Sequence, residues 1–370
     1  MSDRPQIERV ETYALRVPLR RPISDALYHR THWHIPVVEV STSDGLTGTG
    51  YSGVWAGDDL LCATIDRYLT PLLLDRDATA IGELWGQMYW SPLHWVGRAG
   101  VTHMALGMVD TALWDLAAQR AELPLWRLLG GTHRKLETYN TDGGWLNFPL
   151  DDLIADTCAM AEAGWKRVKI KVGSGDLSSD LDRVRRVRDA VPEGVCVMVD
   201  ANQAWDRVTA RTAALALADL GVGWLEEPLH PDDVAGHAEL RRASPLPVAL
   251  GENVYSVEGF AAFVRAGAVD IVQVDVTRVA GVTEWLRVAH LAQGNGLWVV
   301  PHAGDMMQVH QHLVAAIGAP EPAMVEYLPW GLETFQDPVR VTGGTLILSE
   351  APGASSTIAA GARRQWEARP

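Results

Sequence analysis

The stretch RVKIKVGSGDLSSDLDRVRRVRDAVPEGVCVMVDANQ, Arg167 to Gln203, decides how this chain is read. It opens on a short run in which Val168, Ile170 and Val172 alternate with Lys169 and Lys171, and closes on a second apolar run that ends in Asp200. Between the two lies the amphipathic segment LDRVRRVRDAV. In a strand, residues i and i+2 share a side, so the two lysines stand side by side with three branched apolar residues facing the other way. Adjacent ammonium groups repel. Either this strand shows them to water or something anionic lies opposite. Strand, helix, strand in this order is a βα unit of a parallel sheet.

The same pattern recurs from about residue 134 onward. The apolar runs LETYNTDGG, RVKIKVG, CVMVDANQ, GWLEEPL, PVALGEN, DIVQVDV, WVVPHAG and AMVEYL alternate with helix-like segments such as DDLIADTCAMAEAG and GVTEWLRVAHLAQGNG. So even a spacing is expected of a closed (β/α)8-type TIM barrel over residues 134–330, and an open doubly wound sheet would not require it. Residues 1–133 read differently. IERVETYALRVPL and HIPVVEVSTSDGLTGTGYS alternate like antiparallel strands around a Ser-Asp-Gly turn, and long helical segments follow. This is an α+β capping domain, and the strand-like tail, residues 331–370, is expected to return to it. The fold class is α/β.

The ends of the barrel strands carry ionisable groups: Lys171, Asp200, Glu226, Glu252, Asp275, His302 and Glu326, at intervals between 23 residues (Glu252 to Asp275) and 29 (Lys171 to Asp200). One such step is a strand, a helix and two loops, so each group occupies the same point of successive units. In a barrel of parallel strands they converge on the C-terminal rim, where such barrels place active sites. A single acid at a strand end could cap the next helix; capping does not account for the whole series. Asp200, Glu226 and Glu252 on neighbouring strands would repel strongly in a partly dry mouth. A divalent cation resolves this, and an all-oxygen set favours Mg2+ over Zn2+. Lys169 and Lys171 then belong beside this rim, facing a substrate anion. Asp275 and His302 end adjacent strands, so the carboxylate can orient the imidazole and raise its basicity. Lys171 and His302 flank the cation from different sides, which suits removal of the α-proton of a carboxylate through an enediolate.

The formal net charge of −14 without a basic block argues against nucleic acid and against an anionic membrane surface. The polar N-terminus and the three cysteines, Cys62, Cys158 and Cys196, without CxxC spacing, fit reduced thiols in a cytoplasmic protein. GTGYSG, Gly48 to Gly53, matches a dinucleotide fingerprint but follows a hairpin strand, so turn and strand glycines explain it better. His310 and His312 are two apart on a helix and make a poor metal pair. The fifteen tryptophans read as core or subunit contacts of a homo-oligomer. SDALYHRTHWHI, Ser24 to Ile35, is the most polar stretch of the first domain. Its functional reading is a lid whose His29, Arg30 or His32 meets the distal hydroxyls or carboxylate of a sugar acid.

With these motifs in place, the chain resembles the enolase superfamily, mandelate racemase subgroup, over essentially its full length. VKIKVG, VMVDANQAWDR, WLEEPL, GEN, QVDVTRVAGVTEWL and VVPHAG follow that group's pattern, and YNTDGGWL, GHAEL and VHQHLVAA are most similar to acid-sugar dehydratases of the talarate/galactarate type. The resemblance implies Mg2+ on Asp200, Glu226 and Glu252, Lys171 as one base and the His302–Asp275 dyad as the other. It further implies Lys169 at the substrate carboxylate, Asn202 touching substrate, and a protonated Glu326 donating to a carboxylate oxygen. The implied reaction eliminates water to give a 2-keto-3-deoxy sugar acid, from an aldarate or an aldonate. A racemase, epimerase or lactone cycloisomerase on the same scaffold is the alternative.

Overall fold

The computed structural model describes residues 4–132, 134–317 and 323–368. Three antiparallel strands begin the chain: β1 (Ile7–Ser24), β2 (His29–Thr42) and β3 (Thr47–Tyr51). Along β1 the alternation places Tyr13, Leu15 and Val17 in the core. The helix Val101–Arg120 crosses β3 so closely that a Cβ at Gly48 would strike the Ala112 carbonyl and one at Gly50 the Met108 carbonyl. The glycines of GTGYSG therefore serve close approach of backbone to backbone.

The barrel strands are β4 (Lys135–Asn140), β5 (Arg167–Lys171), β6 (Cys196–Asp200), β7 (Leu225–Glu226), β8 (Val248–Leu250), β9 (Ile271–Val272), β10 (Trp298–Val299) and β11 (Met324–Tyr327). Each from β4 to β9 pairs parallel with the next, and β11 returns to pair with β4; no ladder joins β10 to β11 among the described residues. Val168, Ile170, Val172, Val197 and Val199 face outward onto Val184, Val187, Ala210, Ala213 and Leu217 of the covering helices. Inside, Tyr139, Met198, Trp224, Ala249, Ile271, Val300 and Met324 form an apolar plug. The polar mouth rests on this plug, with Lys169 Nζ 5.4 Å from the Tyr139 ring.

The tail forms a hairpin, β12 (Arg340–Thr342) and β13 (Thr345–Ile347), laid antiparallel on β4. It then runs to the capping sheet, where Ala368 N–H donates to Ala14 O at 2.8 Å and Arg363 pairs with Glu11 at 2.6 Å. No helix among the described residues is long and apolar enough to cross a membrane.

A buried acid links the long capping helix to the barrel. Asp110 accepts from Thr283 N–H (2.8 Å) and Thr283 Oγ1 (2.7 Å) in the first turn of the helix Gly281–Gly294. Burial pushes its carboxyl up to about 7, against these donors. A folded-state value above the unfolded one means that the stability contribution is complete below the unfolded pKa and is lost as pH rises through 7. Asp110→Asn keeps an acceptor and a donor but no charge. It is expected to gain about 2–3 kcal/mol on the wild type between pH 5 and pH 8. Thermal melts at the two pH values check this, and a pH-independent difference would contradict it.

Candidate active site

The lysines of β5 are not turned to water. Lys169 is 1 % exposed and Lys171 5 %, so the pleat points both into the barrel mouth. Lys169 Nζ donates to Glu226 Oε1 (2.5 Å), contacts Glu326 Oε1 (2.8 Å) and lies 3.7 Å from Asp200 Oδ2. Lys171 Nζ donates to Asp200 Oδ2 (2.5 Å). Asp200, Glu226 and Glu252 each offer a carboxylate oxygen, all within 4.8 Å of one another. These acids are not helix caps. The helices that follow them are capped by Asp206, Asp233 and Ser256, which accept from Thr209, Gly236 and Gly259 N–H. Capping is thereby removed as an explanation of the rim.

The electrostatics favour a cation among the three carboxylates. Burial, and after it the neighbouring Asp200 and Glu326, push Glu226 up to about 8 in spite of Lys169. Burial opposes the charge of Lys169, but Glu226 and Glu326 outweigh it and hold the ammonium well above its ordinary value. Among the described residues, the ion pairs of Asp200, Glu226, Glu252, Asp275 and Glu326 are made with Lys169, Lys171 and His302, and with His310 at 3.9 Å from Asp275. One divalent cation balances the remainder, and the all-oxygen donor set fits a hard ion.

Asp275 and His302 lie three residues beyond the ends of β9 and β10, in the loops. His302 Nδ1 is 2.7 Å from Asp275 Oδ2, while Nε2 is 3.2 Å from Glu252 Oε2. Asp275 Oδ1 accepts from Thr277 N–H and Oγ1, both at 2.8 Å, and Oδ2 also accepts Gly304 N–H at 3.1 Å. Burial works against a charged imidazole, but Glu252 and then Asp275 outweigh it and lift His302 to about 10. Against the same burial, the hydrogen bond from His302 holds the Asp275 carboxyl well below the carboxylate range.

Glu326 lies where the lysine and histidine sides of the rim meet, against Lys169 and 3.0 Å from Ala303 N. Its surroundings run against the protonated acid that the resemblance implies. Although burial favours the neutral acid, Lys169 and His302 draw it down to about 2. Its oxygens accept from Thr141 Oγ1 (2.7 Å) and Ala303 N–H (3.0 Å) as well as meeting Lys169. Asn202 sits at φ 40 with its N–H on Asp200 Oδ1 (2.9 Å), and its amide Oδ1 is buried with no partner.

The lid stretch is strand rather than loop from His29 onward, and its turn reaches the barrel where Ala26 lies against Gly173. His29 and His32 are exposed and bond locally, to Ser24 Oγ and Thr31 Oγ1. Arg30 stacks on Tyr28 at 4.2 Å and Trp55 at 5.4 Å. None of the three meets the rim groups through a described hydrogen bond or ion pair. An aromatic cluster reaches the mouth instead, and its Trp33 and Trp145 are buried, in line with the reading of the tryptophans as mostly core. Trp33 meets Trp55 (4.4 Å), Trp330 meets Trp33, Trp55 and Trp145 (5.6, 5.6 and 5.0 Å), and Trp145 lies 5.0 Å from Lys171 Nζ. Unforeseen are Gln273, whose Nε2 donates to Glu226 Oε2 (2.7 Å), and Glu227, held by Asn253 and Gln203 and pushed well above its ordinary value by burial and then by Glu252. A polar residue two before Asp275 in an otherwise apolar run was the available signal for Gln273.

A (β/α)8 barrel with a capping domain and a rim of paired acids and bases defines a class of enzyme built for proton transfer at a cation-held carboxylate. Within that class, residues 152–362 match the family described as enolase C-terminal domain-like, and residues 8–130 match the mandelate racemase/muconate lactonizing enzyme N-terminal domain. The chain belongs to the enolase superfamily and is an enzyme of its mandelate racemase group. It is 35% identical to 3,6-anhydro-alpha-L-galactonate cycloisomerase of Streptomyces coelicolor over 94% of this chain and 95% of that one. It is 34% identical to L-talarate/galactarate dehydratase of Salmonella typhimurium, covering 97% of this chain and 90% of that one. The crystal structure of the latter superposes with a TM-score of 0.93 at 33% identity, over 99% and 93% of the two chains. A racemase from Streptomyces coelicolor with bound magnesium gives 0.90 at 33% identity, over 98% and 100%.

Proposed function

We propose that the chain is an Mg2+-dependent acid-sugar dehydratase that converts an aldarate such as galactarate or talarate, or an aldonate, into a 2-keto-3-deoxy acid. The observation that carries this reading is the placement of two proton-transfer groups at different ends of one carboxylate row: Lys171 against Asp200 and His302 against Glu252. Asp200, Glu226 and Glu252 would hold Mg2+, which would supply positive charge that these acids otherwise draw from Lys169, Lys171 and His302 and would offset negative charge developing on a substrate carboxylate.

Lys171 or His302 takes the α-proton, according to which face of the α-carbon presents it. Lys169, fixed by Glu326, faces the substrate carboxylate. Asn202 offers its unpartnered amide oxygen to a substrate hydroxyl. As the imidazolium favoured by Asp275, His302 donates its proton to the β-hydroxyl, the C–O bond breaks and water leaves; the enol then gains a proton at the β-carbon and loses its hydroxyl proton to become the ketone. Trp33, Trp55, Trp145 and Trp330 keep bulk water from the mouth.

A second reading draws on that tryptophan cluster, which suits a ligand with an apolar ring face. In a 3,6-anhydro acid the ether oxygen on C3 is β to the carboxylate. The same α-proton abstraction would expel it and open the ring without loss of water. Incubating the Mg2+-loaded enzyme with galactarate, talarate and a set of aldonates, and reading 2-keto acid by semicarbazide, tests the dehydratase. Keto acid from at least one is expected. None, accompanied by α-deuterium exchange or epimer interconversion, would contradict dehydration. A homo-oligomer is in keeping with the exposed Trp90, Trp95 and Val96.

A further inference from the structure

Behind the His302–Asp275 pair lies a second buried carboxylate–imidazole pair that the proposed reaction leaves unused. His310 opens the helix His310–Ile317 and is 1 % exposed. Its Nδ1 is 2.6 Å from Asp305 Oδ1 in a bent contact, and its Nε2 accepts the N–H of Val276 at 2.9 Å. Nε2 also lies 3.9 Å from Asp275 Oδ1. A nitrogen and a carboxylate oxygen at the shorter distance repel less when the nitrogen carries the ring proton, even where the contact lacks the alignment of a hydrogen bond. Since Nε2 is already an acceptor, that proton is on Nδ1.

Asp305 is itself over-determined. Its carboxylate accepts the N–H groups of Met307 (2.8 Å), Val309 (2.8 Å) and His310 (2.7 Å), and its backbone carbonyl accepts from Tyr51 Oη at 2.6 Å. Two successive residues in this turn, Met306 and Met307, have φ of 54 and 67. Such backbone is strained and persists where the surroundings enforce it. What the turn achieves is visible on its far side. It delivers His310 to the loop that carries Asp275, where Trp285 Nε1 also holds the Val274 carbonyl at 3.0 Å. The backbone is thus gripped on both sides of Asp275, at Val274 and at Val276.

We propose that His310, oriented by Asp305, is a positioning residue for the His302 side of the reaction. By fixing the Val276 amide it sets the direction in which Asp275 presents Oδ2 to His302 Nδ1. The inference rests on the reading of Lys171 and His302 as opposed bases, and its signature is asymmetric: the His302 face suffers and the Lys171 face does not.

The test uses the Mg2+-loaded full chain in D2O with galactarate and its C2-epimer talarate together in one sample. The ratio of α-deuterium incorporation into the two epimers is read by NMR. Because it is a ratio within one sample, it does not depend on how much of a variant is folded. His310→Asn keeps a donor for Asp305 but loses the acceptor for Val276, whereas His310→Gln places an acceptor near the Nε2 position. The Asn variant is expected to shift the ratio against the His302 face by about 10–100-fold, with KM for both epimers little changed. Asp305→Ala should shift it the same way, and the Gln variant should recover most of the loss. An unchanged ratio, or an equal fall for both epimers without rescue by Gln, would overturn the proposal. A wild type that exchanges neither epimer would instead overturn the opposed-base reading, and this inference with it.

Discussion

Glu226→Gln is expected to lower turnover by roughly 10^3-fold or more while leaving the fold intact, since loss of cation-held transition-state charge is worth several kcal/mol. The volume is unchanged and Lys169 retains Glu326 at 2.8 Å, so no ammonium is stranded in the mouth. Gln273 and Trp224 already donate to Oε2 of the acid, and an amide oxygen can accept at least one of them. Burial and the adjacent carboxylates disfavour the charge at Glu226, so the variant without cation should melt no lower than the wild type. Its response to Mg2+ should differ. A cation that binds only the folded protein stabilises it by about 2.7 kcal/mol at a hundredfold excess over Kd. That rise in Tm is expected in the wild type and should be largely lost in the variant. Full activity after exhaustive chelation, or equal Mg2+ shifts in both proteins, would contradict the site.

Legibility from sequence followed the periodicity. The βα repeat and the ionisable residue at each strand end are local signals, so Lys171, Asp200, Glu226, Glu252, Asp275, His302 and Glu326 could be set on one rim before any contact was known. Local signals do not tell where a hydrogen-bonded ladder stops, which is why Asp275 and His302 stand in loops rather than at strand ends. The aromatic cluster was illegible for a different reason. Trp33, Trp55, Trp145 and Trp330 are scattered through the chain, and each alone resembles a core residue; only the docking of the capping arm brings their rings together. The polar look of His29 and His32 reflects their exposure on that arm. The charge on Glu326 depends on Lys169, a partner from the other end of the barrel sequence, which no local pattern around Glu326 reveals. His310 looked idle because its partners, Asp305 and the Val276 amide, are assembled by a turn with two left-handed methionines that no local rule foresees.

Lys171→Ala and His302→Asn are expected to stop turnover of different substrate epimers. Each group approaches the α-carbon from its own side, Lys171 from the Asp200 end of the carboxylate row and His302 from the Glu252 end. Removing Lys171 takes away the only described hydrogen-bond donor to Asp200 Oδ2 but leaves the His302–Asp275 bond at 2.7 Å untouched. Removing His302 frees Asp275 Oδ2 from its imidazole, while Thr277 and Gly304 keep that carboxylate in place. A positioned base typically contributes 10^2–10^4-fold, so each loss should fall in roughly that range for one face and leave the other face exchanging. The direct measurement is deuterium incorporation at the α-carbon of galactarate and of talarate in D2O, by NMR, for the Mg2+-loaded wild type and both variants. The predicted result is exchange of both epimers in the wild type, loss of one epimer's exchange in Lys171→Ala and of the other's in His302→Asn. Loss of the same exchange in both variants, for every epimer tested, would contradict the two-base site.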